Sequence, residues 1–132
     1  MMRKMKLSLI GLALAAIVVA AIPTSAESDP YAETVAFIDW SVYHPNKVRG
    51  KAYASTTNPK MTKINVQGSF YQGSTLKESG VASQTIIGYE AAWYTADGVY
   101  ADTNSYTLNA ASRTYYNGGS YDQQYDSYSW PW

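Results

Sequence analysis

His44 is the only histidine in the 132 residues, and there is no cysteine. It lies in the stretch W-S-V-Y-H-P-N-K-V-R-G-K, which gathers Trp40, Tyr43, His44, Lys47, Arg49 and Lys51. Catalysis has little material here. No thiol nucleophile exists, no G-x-S-x-G elbow occurs, and His44 has no Ser and Asp partners at a recognised spacing. One histidine could ligate a metal only with carboxylates brought in by the fold. The stretch D-G-V-Y-A-D-T-N, residues 97–104, offers oxygens without the spacing of a calcium loop. Glu33, Asp39, Glu90 and Asp102 are the carboxylates that could pair for glycoside hydrolysis. A short chain, however, has little room for both a core and a substrate cleft. The expectation is a protein without catalytic residues, metal or cofactor. Binding chemistry is better supplied. Lys47, Arg49 and Lys51 recur at alternate positions, which on a strand makes one cationic row. Such a row suits an anionic wall or matrix polymer, or another protein surface. It also suits a solvated strand face whose charges discourage edge pairing.

The elements that must position these residues read as strands. Tyr, Thr, Ser, Val and Ile are abundant, and they fit a pleated, half-buried surface. Turn signals recur at H-P-N (44–46), T-N-P (57–59), Q-G-S (72–74), S-G (79–80), D-G (97–98) and N-G-G (117–119). Between them, residues 47–56 place Val48, Gly50, Ala52 and Ala54 on one face, with the three cations on the other. Residues 61–72 alternate likewise, with Ile64, Val66 and Phe70 against Lys63, Asn65 and Gln67. Period two with one apolar face predicts half-buried antiparallel strands. Further strands are expected over 33–43, 81–94 and 99–108, the last two joined by a D-G hairpin turn. Pro45 and Asn46 suit the central positions of a turn, so His44 is expected between two strands. The fold class is therefore all-β, a small antiparallel β-sandwich, Ig-like or related.

Arg3, Lys4 and Lys6 precede an apolar run over residues 7–22 and the small-residue stretch P-T-S-A. That order is expected of a signal peptide, residues 1–26, cleaved after Ala26. The apolar run is shorter than the roughly 20 residues of a membrane span, so no stable span is expected after cleavage. Secretion follows, with a β-sandwich domain over 27–116. The segment 117–132, rich in Tyr, Ser, Gly and Asp, is expected as a last edge strand or a disordered end. Without the leader, seven cations face ten acids, a net charge of −3. That sign and the export argue against nucleic acid. Trp40 and Trp93 fall within strand patterns, whereas nothing in the sequence buries Trp130 or Trp132.

The stretch W-S-V-Y-H-P-N-K, Trp40 to Lys47, resembles the W-S-x-Y-Y-H-P-x-K of the lactococcin-type secreted bacteriocins, and S-G-V-A-S at 79–83 is loosely similar too. The resemblance implies a cysteine-free exported β-sandwich with non-catalytic antibacterial action at the cell wall through lipid II. It picks out Trp40, Tyr43, His44 and Lys47. Three readings emerge: a secreted, non-enzymatic protein binding at the cell surface or to a wall or matrix polymer; a lactococcin-like bacteriocin; and a structural subunit assembling through strand edges.

Overall fold

Residues 25–26 and 29–131 are described in a computed structural model; the proposed leader lies outside them apart from Ser25 and Ala26. The strands are β1 (Ser25–Ala26), β2 (Ala32–Trp40), β3 (Lys47–Thr56), β4 (Met61–Gln72), β5 (Thr75–Gln84), β6 (Ala91–Tyr94), β7 (Tyr100–Ala101), β8 (Tyr106–Tyr116) and β9 (Ser120–Trp130). No helix occurs among the described residues. The larger sheet runs β1-β9-β8-β4-β5; the smaller runs β2-β3-β6, with β7 also on β3. All pairings are antiparallel except β1 with β9. The chain is thus a small antiparallel two-sheet sandwich.

Alternation along the strands builds the core. In β3 every even residue from Val48 to Thr56 is buried and every odd one half-exposed. Ile38, Val48, Ala52 and Ala54 from the small sheet meet Ile64, Val66, Phe70 and Leu108 from the large one, all with no accessible surface. Burying side chains of this size contributes about 1.5–3 kcal/mol each for the larger ones. The Phe70 ring stacks on Tyr106 at 5.1 Å and tilts against Tyr100 at 4.7 Å.

Three expectations are corrected. Ser79 and Gly80 form no turn but lie inside β5, where Gly80 pairs with Gly68 of β4. The two glycines are the floor on which Trp93 of β6 rests, since a Cβ on either would stand 2.1 Å from the indole. An isolated glycine in a strand marks just such a close approach. Secondly, the strand expected over 81–94 splits. Residues 85–90 cross from the large sheet to the small one, turning at Gly88 (φ 86°) with its N–H on the Thr56 carbonyl at 2.8 Å. Ile87 and Tyr89, placed by alternation on a strand face, are exposed on this crossing. Thirdly, Asp97-Gly98 is not a hairpin turn. β6 and β7 both run antiparallel to β3 along one edge, β6 on residues 51–54 and β7 on 47–48. Residues 95–99 are an excursion between them, anchored where the Thr95 N–H donates to the Gly50 carbonyl at 3.0 Å and the Gly50 N–H donates to Thr95 Oγ1 at 2.9 Å. The segment expected over 99–108 therefore divides between the two sheets.

Beyond the Gly118 and Gly119 turn, both at positive φ, β9 pairs with β8 from Tyr121 to Trp130. Its Asp126 also covers the open edge of β2, accepting the Ala36 N–H at 2.9 Å.

Candidate functional site

The β2–β3 connection, residues 41–46, is shaped by local chemistry. Pro45 sets one φ of the turn, and Asn46 follows at φ 63°, as a type II turn requires. The Ser41 N–H donates to the Lys47 carbonyl at 2.8 Å, closing the loop. Ser41 Oγ accepts the N–H groups of Tyr43 at 3.2 Å and His44 at 3.1 Å. With its polar groups turned inward, the loop pushes its apolar side chains out: Tyr43 is 80% exposed and Val42 88%.

Beside the loop, register aligns the outer face of the small sheet. Asp39 stands opposite Arg49, while Phe37, Lys51 and Tyr94 lie in one row across β2, β3 and β6. The three predicted cations do share this face, but half-buried rather than free. Arg49 Nε donates to the Thr95 carbonyl at 3.0 Å, and its guanidinium sits 4.7 Å from the Tyr94 ring centroid. Lys51 Nζ lies 2.7 Å from Glu90 and 4.5 Å from the Tyr53 ring centroid. Burial pulls the Lys51 ammonium down, but its bonds to Glu90 and Tyr94 outweigh that and hold its pKa above the ordinary lysine value. The row therefore carries less unspent charge than its spacing suggests.

The excursion 95–99 closes the other side. Glu78 reaches it from the opposite sheet, accepting the Ala96 N–H at 3.0 and 3.1 Å and the Tyr100 hydroxyl in a short hydrogen bond. Burial, then the Glu78 carboxylate, raises the Tyr100 pKa. So clamped, the excursion sets Asp97 against the hairpin. A hydrogen bond with Ser41 holds the Asp97 carboxyl below its usual range, helped by His44, the Gly98 N–H and Arg49. His44 Nε2 is 3.9 Å from Asp97 Oδ2, and the imidazole lies over Gly98, where a Cβ would stand 3.1 Å from the ring.

These parts enclose an open cleft of about 240 Å³, floored by Arg49 and Lys51 and walled by Phe37, Trp40, Tyr43 and Tyr94, with Asp39 and Asp97 at its margins. Of the six predicted residues, Trp40, Tyr43, Arg49 and Lys51 line it. His44 braces it from behind, against Asp97 and Gly98. Lys47 stands at the start of β3, in register with Ala101. Phe37 and Asp39 were recoverable from sequence, as the outward residues of a strand that pairs with β3. Tyr94, Asp97 and the role of Ser41 were not.

Trp130, with no sequence signal for burial, packs partly against the core. It meets Trp40 edge-on at 4.7 Å and 89°, and its Nε1 donates to the Asp102 carbonyl at 3.1 Å. Trp132 lies outside the described residues.

Ser41, His44 and Asp97 are neighbours, yet their order is wrong for a nucleophile. Ser41 Oγ accepts two backbone N–H groups, and the His44 imidazole turns its Nε2 to Asp97 rather than standing between the hydroxyl and the carboxylate. Of the carboxylates considered for glycoside hydrolysis, Glu90 is engaged on Lys51, Asp102 on Trp40 Nε1 and Asp39 on the Trp40 N–H. Among the described residues no group of three or more His, Cys, Asp or Glu side chains could hold a metal ion. No helix among them is long and apolar enough to cross a membrane.

No protein-family model matches the chain, and no curated protein does. Among solved structures it is similar to part of a Bacteroides uniformis β-glucuronidase 2 covalently bound to cyclophellitol-6-carboxylate aziridine. That match has 12% identity and a TM-score of 0.48, and covers 79% of this chain. It is also similar to part of wild-type OgpA from Akkermansia muciniphila, with 11% identity, a TM-score of 0.34 and 83% of this chain covered. The chain spans only 15% and 31% of those two proteins.

Proposed function

We propose that this is an exported, non-catalytic binding domain that holds the saccharide chain of a cell-wall or extracellular-matrix polymer in the Trp40–Tyr43–Tyr94 cleft. The observation that carries the reading is the cleft's composition. Exposed aromatic rings stand around a floor of hydrogen-bonding charged groups, and recognition pockets are commonly apolar walls with a few fixed polar groups. Aromatic rings offer large apolar faces at low entropic cost. Asp39 and Asp97 can accept hydroxyls, and Arg49 and Lys51 can donate to ring and carbonyl oxygens. Because Arg49 and Lys51 are partly committed to Thr95 and Glu90, and two carboxylates stand at the rim, a hydroxyl-rich polymer fits better than a dense polyanion.

The test is affinity electrophoresis of the protein without residues 1–26 through gels carrying peptidoglycan glycan strands, cellulose derivatives or teichoic acid. Retardation by a polysaccharide should persist at about 0.5 M salt, where the Debye length is only a few ångströms. Tyr43→Ala should remove it while changing stability by no more than about 0.5 kcal/mol, as expected for an exposed side chain. Retardation by teichoic acid alone, abolished by salt, would replace the reading with a purely electrostatic one. No retardation by any polymer would overturn it.

A further inference from the structure

Trp40 belongs to two clefts. Its other side borders a second opening of about 360 Å³, lined by Trp40, Asp102, Thr103, Trp130 and Pro131. Asp102 builds this junction. Its Oδ2 accepts Trp40 Nε1 at 3.3 Å, its carbonyl accepts Trp130 Nε1 at 3.1 Å, and its own N–H donates to the Asn46 carbonyl at 3.0 Å. One residue thus ties the β2–β3 loop, the segment after β7 and the end of β9 together. Both indole N–H groups are spent on it, so each ring is fixed in direction and what remains outward is hydrocarbon surface. Trp40 keeps 60% of its surface exposed.

The geometry points to a continuous two-part groove that takes a linear saccharide along its length, with Trp40 as the ridge between two subsites and Trp130 as the stacking surface of the second. This rests on the saccharide-binding reading and narrows it from a sugar to a chain bound internally. Each part repeats the same chemistry: an aromatic wall beside a carboxylate, Asp39 and Asp97 in the first and Asp102 in the second. A single ring would fill one part and leave the other open. A polymer crossing Trp40 would use both, and fixed rings avoid the ordering cost that flexible ones carry. Asp102 is a positioning residue for both indoles.

The experiment is calorimetric titration of the protein without residues 1–26 with N-acetylglucosamine oligomers and cello-oligosaccharides, each from the dimer to the hexamer. In the parent, affinity should rise about tenfold with length in at least one series, equivalent to a second aromatic contact of about 1.4 kcal/mol. Trp130→Ala should flatten that rise. Because Trp130 also packs on the core, Thr103→Arg is the companion variant; it obstructs the second part from an exposed position and should flatten the rise equally. If dimer and hexamer bind alike, or if both variants keep the rise, the groove is refuted, while loss of all binding in Tyr43→Ala would leave the first cleft standing. If neither series binds the parent at any length, the saccharide reading and the groove fall together.

Discussion

Arg49 and Arg113 both lie against a tyrosine on the outer face of a sheet, and their surroundings differ completely. Arg113 sits in β8 with strands on both sides, in register with Asn65 of β4 and Gln123 of β9. Its guanidinium is 3.9 Å from the Tyr121 ring centroid, Nη2 donates to Gln123 at 2.8 Å, and the residue is only 3% exposed. Nε and Nη1 have no hydrogen-bond partner among the described residues. Neighbouring side chains have closed over it. Arg49 has the same pairing, but β6 breaks off beside it at Tyr94 and β2 ends at Trp40. The interrupted edge leaves room, and the room becomes a cleft. What leaves a surface arginine accessible is thus the discontinuity of the strands around it rather than the residue or its aromatic partner.

The widest break strikes both faces together. Trp93 rests on Gly68 and Gly80, and Gly68→Ala puts a Cβ 2.1 Å from its ring, a rigid, half-buried aromatic packed against the core. Overpacking of that kind costs about 1–3 kcal/mol, so chemical denaturation should show a loss toward the upper end of that range. A normal denaturation midpoint would mean that Trp93 has another place to go.

The next separates the two arginines. Arg113→Ala should cost about 1–2 kcal/mol through lost packing on Tyr121 and leave polysaccharide retardation untouched. Arg113→Met, which keeps most of the volume and removes the unpartnered N–H groups, should recover most of that stability. Arg49→Ala should cost less than about 1 kcal/mol and weaken retardation clearly. Equal effects of the two alanine variants on retardation would erase the distinction between the faces.

The smallest effect is opposite in sign on the two sides. Asp122, in the large sheet, has a pKa raised by burial, with Asp29 as a like charge nearby. Its contribution to stability is present below the unfolded value of 3.8 and is lost as pH rises through the higher folded value. Asp97, at the cleft, has a lowered pKa. Its contribution is present above 3.8 and is lost as pH falls through the lower folded value. Thermal unfolding followed from pH 2 to pH 7 should therefore show Asp122→Asn more stable than the parent only toward neutral pH, by a few tenths of a kcal/mol. Asp97→Asn should differ from the parent at neutral pH and converge with it in acid. The same slope in both variants would contradict the assignment.

Much of the sandwich was legible from period-two alternation, because a strand with one buried face must write that face into its sequence. Lys47–Thr56 and Met61–Gln72 were readable to the residue for this reason. The hairpin turn was legible as well, because Pro45 and Asn46 carry their own backbone preferences. Residues 81–94 were misread because an apolar crossing, with Ile86, Ile87 and Tyr89 exposed, shows the same composition as a strand.

By itself, the sequence determined the all-β class, the position of the β2–β3 turn, and which side of β3 would carry Lys47, Arg49 and Lys51. These are local matters, decided by neighbours one or two residues apart. Tertiary structure alone decided that Tyr94 and Asp97 would join Trp40 and Tyr43, that Glu90 would take up Lys51, and that Trp130 would meet Trp40 across Asp102. Those meetings depend on strand order and on where strands stop. Strand order is set by how two sheets share one core, a property of the whole chain that no short stretch encodes.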